Sequence, residues 1–243
     1  MVRLVLFDID GTLVHTHRAG VRAFAKTFAA EFGLPDVTER IQFAGRTDVS
    51  LVRQMFTLAG RTPTDGHFQR FFARYVFWLD HLLSESGGVV CPGVHDFLQE
   101  LQTLPTPPLL GLLTGNIRLG AEIKLRHFRL WEPFHTGAFA DDAEDRDCIA
   151  TVARDRGSQV LGVPLRGEEI IVIGDTPHDV RCGRAIGARV IAVATGGSTP
   201  EELRAHQPDW LVDDLSALKG SVSHIATFAP VGHPSVQVGK ISR

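Results

Sequence analysis

Short apolar runs that end in acids or hydroxyls, separated by stretches of helical period, constrain this 243-residue chain most strongly. The first run, Leu4–Phe7, leads into Asp8-Ile9-Asp10-Gly11-Thr12. A second, at 109–113, leads into Thr114-Gly115-Asn116. A third, at 170–173, is β-branched and leads into Gly174-Asp175-Thr176-Pro177-His178-Asp179. Apolar runs this short, bounded by polar residues, read as strands buried on both faces. Further strands are expected at 137–140, 190–194 and 210–212, with helices at 94–101, 118–128, 147–154, 180–186 and 200–205. Strands alternating with helices predict an α/β fold: a Rossmann-like parallel sheet with helices on both faces.

The pattern changes between His15 and Gly88, where no run reads as a strand. Val21, Phe24, Ala25, Phe28 and Phe32 fall on one helical face, and Gly33 with Pro35 ends that segment. A second helix is expected to start with Thr47 or Asp48 as N-cap and to bury Leu51, Val52, Met55 and Phe56. A third spans about 66–83. The expected organisation is therefore a core of 1–14 and 90–219, an inserted all-helical segment at 15–89, and a C-terminal extension at 220–243 without clear period.

Composition narrows the partners. A formal net charge of −3 gives the whole chain no pull toward nucleic acid or anionic membranes. Cys91, Cys148 and Cys182 are too few and too widely spaced for a disulfide framework or a zinc pattern. Cys148 and Cys182 are expected as small buried apolar residues. No apolar run approaches the ~18–20 residues that cross a bilayer, and the opening Met1-Val2-Arg3-Leu4 runs into a strand rather than a signal peptide. A cytoplasmic, reducing setting is the expectation.

In parallel α/β sheets ligands sit beyond the carboxyl ends of the strands. The three runs bring four carboxylates, Asp8, Asp10, Asp175 and Asp179, and the Thr114 hydroxyl to one edge. Four acids converging without a cation would repel one another. Oxygen ligands of this kind suit a hard divalent ion such as Mg²⁺.

The three motifs, in this order, resemble the haloacid dehalogenase superfamily. The resemblance is nearest to its phosphoglycolate-phosphatase-like branch, which carries a helical cap after the first motif, and it covers about residues 3–215. It implies a phosphatase acting on a small phosphorylated metabolite through an aspartyl phosphate on Asp8. Asp10 would be the general acid and base. Thr114, Gly115 and Asn116 would bind phosphate. Mg²⁺ would be held by Asp8, the Asp10 carbonyl and Asp175, and Asp179 would orient metal-bound water or the phosphate-binding cation. The expected sheet is five-stranded, in the order third, second, first, fourth, fifth along the chain.

One position departs from the family pattern. Where a phosphate-binding lysine usually follows the third core strand, this chain reads Asp141-Asp142-Ala143-Glu144-Asp145-Arg146-Asp147. Arg146 is the expected replacement. The rival, Lys124, lies nearly three helical turns after Thr114 and is expected to point away. In relatives with this cap, a turn such as Gly45-Arg46-Thr47-Asp48 faces the site, which makes Arg46 a candidate substrate contact beside the reading of a plain N-cap turn. His15 and His17 read as a linker and His178 as a surface residue. Asp10 argues against dehalogenase or phosphonatase chemistry, since those branches lack it. A phosphomutase of the β-phosphoglucomutase type and a non-catalytic binding protein on the same fold remain as alternatives.

Overall fold

A computed structural model describes residues 1–227. The strand β1 (Leu4–Phe7) is wholly buried, and its alternation divides the core. Val5 and Phe7 face one apolar cluster, whereas Leu4 and Leu6 face another. Successive side chains of a strand point to opposite faces, so a strand covered on both sides must be apolar throughout.

The chain leaves β1 through a turn into the two-residue β2 (Val14–His15), then forms α1 (Ala19–Phe32), α2 (Asp48–Leu58) and α3 (Asp65–Ser86). It returns by β3 (Val89–Val90), which pairs antiparallel with β2. This short ribbon escapes sequence reading because two residues carry no period. Afterwards helices and strands alternate as α4 (Val94–Gln102), β4 (Leu109–Leu113), α5 (Arg118–His127), β5 (Thr136–Ala138) and α6 (Arg146–Leu161). The series continues with β6 (Ile170–Gly174), α7 (Pro177–Ala185), β7 (Arg189–Val193), α8 (Pro200–Ala205), β8 (Trp210–Val212) and α9 (Val222–Thr227).

The main sheet is parallel, in the order β5-β4-β1-β6-β7-β8, with β1 inside it. It has six strands, not five. The 210–212 run joins the edge of β7 in parallel, and Ala194 N donates to Val212 O at 2.9 Å. One face is covered by α4, α5 and α9 through Phe97, Leu98, Leu125, Val222 and Ile225. The other is covered by α6, α7 and α8 through Ile149, Ala153, Val180 and Leu203. Part of the expected C-terminal extension is thus core structure: α9 packs under the sheet, and Val2 N donates to Ala226 O at 2.8 Å. The remainder, 228–243, lies outside the described residues.

The helices α1 to α3 have their own aromatic core. Phe24 stands 4.8 Å from Tyr75, and Phe28 stands 4.8 Å from Phe71, ring centre to ring centre. Edge-to-face and tilted pairs of this kind add to the area they bury. Ile117 and Ala140 from the sheet side join this cluster, so the helical segment packs directly on the strand-end loops. Of the cysteines, Cys91 and Cys182 are buried, but Cys148 is exposed. It lies off the α6 face that Ile149, Ala150 and Ala153 turn inward. Among the described residues no helix is long and apolar enough to cross a membrane.

Candidate active site

The strand ends of β1, β4 and β6 meet at a cavity of about 630 Å³ roofed by α1, α2 and α3. Asp8 follows β1 directly and is 6 % exposed. Asp175 follows β6 and is 3 % exposed. Its carboxylate is gripped from three sides. Thr12 Oγ1 donates to Asp175 Oδ1 at 3.1 Å, and two glycine backbones close on the other oxygen. A Cβ on Gly11 would stand 2.5 Å from Asp175 Oδ2, and one on Gly196 only 1.6 Å away. Gly11 also has φ +84°, a left-handed value that other residues adopt only with strain. The Gly196 contact gives a prediction: Gly196→Ala forces Asp175 aside. A divalent cation held by the Asp175 carboxylate should then bind at least about tenfold more weakly, a 1.4 kcal/mol effect. Mg²⁺ binding to the natural protein and the variant, followed by calorimetry, reads this directly; equal affinity means that no ion uses Asp175.

Asp179 is fully buried at the third residue of α7. Both its oxygens are taken. Thr176 N and Thr176 Oγ1 donate to Asp179 Oδ2 at 3.0 and 2.7 Å, closing a capping box, and Arg146 Nη2 donates to Asp179 Oδ1. Arg146 opens α6 and is 4 % exposed, with Nη1 3.7 Å from Asp8 Oδ1. The guanidinium therefore bridges the acid after β1 and the acid in α7. Burial alone would lower its pKa, but the Asp179 and Asp8 charges raise it, so it stays charged.

Carboxylate oxygens of Asp8, Asp175 and Asp179 lie within 4.8 Å of one another, all buried. Burial first, and then the Asp179 charge, raise the pKa of both Asp8 and Asp175 above the usual carboxylate range. Asp8 Oδ1 is buried and accepts no hydrogen bond. An all-oxygen acidic donor set with a buried oxygen that accepts no hydrogen bond fits a hard cation such as Mg²⁺. Because Asp179 is committed to Thr176 and Arg146, the carboxylates left for an ion are those of Asp8 and Asp175.

The other half of the site overturns one expectation. Lys124 does not point away: it is 3 % exposed, and Nζ donates to Asp10 Oδ2 and to Asn116 Oδ1, each at 2.5 Å. Helical side chains lean toward the N-terminus of their helix. Lys124 lies six residues into α5, about 9 Å along the axis at 1.5 Å per residue, and its long stem recovers that rise. Asn116 Nδ2 donates to Asp10 Oδ2 at 2.9 Å and to Thr114 Oγ1 at 2.8 Å. Thr114, Asn116, Asp10 and Lys124 are thus one connected network.

The helical roof is latched to it. Asp48 N donates to Gly115 O at 2.7 Å, and Ile117 N donates to Asp48 Oδ2 at 2.8 Å. Thr47 caps α2 and donates its hydroxyl to Glu144 O at 2.9 Å. Asp48, whose role sequence reading missed, is buried and pushed up to about 7, chiefly by burial, with Lys124 and the Ile117 N–H opposing. Only its place in a Thr-Asp helix start was visible beforehand. Arg46 lines the cavity, half-buried, with its guanidinium on Gln54. His15 and His17 also line the cavity. His178 is half-buried rather than a surface residue: its ring stands against Gly45 of the roof, where a Cβ would come within 2.5 Å.

A family model described as haloacid dehalogenase-like hydrolase matches residues 5–193. The chain belongs to this family. Its matched span runs from β1 to the end of β7 and contains every site residue named above except Gly196. Among its relatives, the phosphoglycolate phosphatase of Synechococcus elongatus is 28 % identical, covering 92 % of this chain and 99 % of that protein. The pyrophosphatase PpaX of Bacillus mycoides is 24 % identical, covering 92 % and 98 %. The fold is shared with a hydrolase from Pseudomonas syringae, with a TM-score of 0.69, 22 % identity, and 93 % and 100 % of the two chains covered. This haloacid dehalogenase-like chain is therefore a hydrolase-family enzyme whose named relatives include phosphatases.

Proposed function

We propose that this enzyme is a Mg²⁺-dependent phosphatase that hydrolyses a small phosphorylated metabolite through an aspartyl phosphate on Asp8. One observation carries the reading: a buried carboxylate oxygen that accepts no hydrogen bond, Asp8 Oδ1, lies beside a buried arginine at the floor of a half-open cavity. Asp8 would attack phosphorus, and the leaving oxygen would take a proton from Asp10. Asp10 would then take a proton from the water that cleaves the Asp8–phosphate bond, which releases inorganic phosphate and restores Asp8. Arg146, Thr114 and the 115–116 loop would hold the phosphate oxygens, and Asp179 would hold Arg146. Mg²⁺, on Asp8, Asp175 and the Asp10 carbonyl, would neutralise charge on the phosphate. The helices of 15–89 would act as a cap that excludes water during the first step, with Arg46 in contact with the substrate.

The test is turnover of 4-nitrophenyl phosphate and of a panel of phosphorylated metabolites, with and without excess chelator. Release of inorganic phosphate in Mg²⁺, and its loss in chelator, is the expected result. Full activity in chelator removes the metal role. Phosphate migration on a sugar phosphate without release would make the enzyme a mutase.

A further inference from the structure

Lys124 has no part in the chemistry described above, yet it is one of the most deeply buried charged groups in the molecule, 3 % exposed. Burying an ammonium is unfavourable unless it is paired and hydrogen-bonded. The apolar packing of α5 is supplied by Ala121 and Leu125, so the helix does not need a lysine there. What Lys124 does contact is one oxygen of the Asp10 carboxylate, which also receives the Asn116 amide. No described residue donates to the other oxygen, and the Asp10 side chain remains 43 % exposed toward the cavity. The helical insert closes down on the same ammonium: a methyl group placed on Gly20 would stand 3.7 Å from Lys124 Nζ and 3.8 Å from Tyr75 Oη.

We propose that Lys124 is a positioning residue for proton transfer. With Asn116 it pins Asp10 Oδ2, so that Oδ1 is presented to the oxygen that leaves the phosphate. The inference rests on the phosphatase reading. A carboxylate on a half-open cavity wall otherwise samples several rotamers, and proton transfer needs it within hydrogen-bond reach of a single oxygen. Two donors on one carboxylate oxygen, from two different segments of chain, fix both its position and its plane.

The experiment compares Lys124→Met with the natural enzyme on two esters in Mg²⁺: ethyl phosphate, whose alkoxide needs a proton to depart, and 4-nitrophenyl phosphate, whose phenolate does not. General acid–base catalysis contributes about 10²–10⁴-fold. Lys124→Met is therefore expected to lose at least about 100-fold in kcat/KM on ethyl phosphate and less than about tenfold in kcat/KM on 4-nitrophenyl phosphate, because kcat/KM reports the steps up to departure of the alcohol, before Asp10 acts as base on water. The ratio of the two kcat/KM values is taken within one preparation, so a partly unfolded sample does not change it. Lys124→Gln, which keeps an N–H donor, should recover part of the ethyl phosphate rate, and it serves as the variant where Lys124→Met does not fold. A loss of equal ratio on both esters overturns the proposal and leaves Lys124 a purely structural residue. If the natural enzyme cleaves neither ester, the phosphatase reading itself falls.

Discussion

Asp8→Asn is expected to remove turnover, by at least about 10⁴-fold in kcat, the scale on which a catalytic nucleophile matters. The same change should stabilise the metal-free protein at pH 8. Asp8 is pushed up to about 7 by burial and by the nearby Asp179 charge, with Arg146 acting in the other direction. Its folded pKa thus lies above the unfolded value of 3.8. Between about pH 4 and pH 7 the folded state holds a proton that the unfolded state releases, so stability from this group falls as pH rises through that window. Asparagine cannot ionise and escapes the loss. Melting in chelator should place the variant above the natural protein at pH 8, with the gap closing below about pH 4. Phosphate release by the variant within tenfold of the natural rate would exclude Asp8 as the nucleophile.

Arg146→Ala carries the second large effect, and it should appear in both stability and rate. The guanidinium is the partner of Asp179, which is fully buried, and lies 3.7 Å from Asp8 Oδ1. Removing one member of a buried ion pair leaves the other charge uncompensated, typically at about 3–5 kcal/mol. The substrate phosphate would also lose its fixed cation, so kcat/KM should fall at least about tenfold, or ~1.4 kcal/mol. Arg146→Lys should recover part of both losses, because a point charge still serves Asp179 and phosphate but lacks the fork that spans them. Chemical denaturation and steady-state kinetics on the two variants separate the effects. If Arg146→Ala keeps the natural kcat/KM, the cation that serves the phosphate is another one, with Lys124 next in line.

The strand-end acids were legible because their signal is local. An apolar run that stops at Asp8 or Asp175 states both the strand and where its carboxyl edge begins. The parallel sheet followed from the alternation of strand and helix, and the helical segment at 15–89 from the aromatic spacing of Phe24, Phe28 and Phe71. Position in the chain likewise placed Arg146 at the start of a helix. Its contacts with Asp8 and Asp179 depend on how α6 and α7 pack side by side, which local pattern does not encode.

Tertiary structure alone decided the rest. The sixth strand pairs through backbone hydrogen bonds at a sheet edge, and a three-residue run gives no warning of its partner. Lys124 looked too far along its helix to matter. Only the direction in which α5 leaves β4 shows that its stem runs back toward the loop and ends on Asp10. Gly196 became visible as a site residue only when its backbone was seen against the Asp175 carboxylate. Asp48 holds the helical roof to Gly115 and to Ile117, the latter 69 residues away in sequence. The sequence by itself determined which elements form and which end of each strand bears acids, because hydrophobic period and strand termination are properties of neighbouring residues. The fold decided which charges meet, because ion pairs and close backbone approaches depend on distances in space between segments remote in the chain.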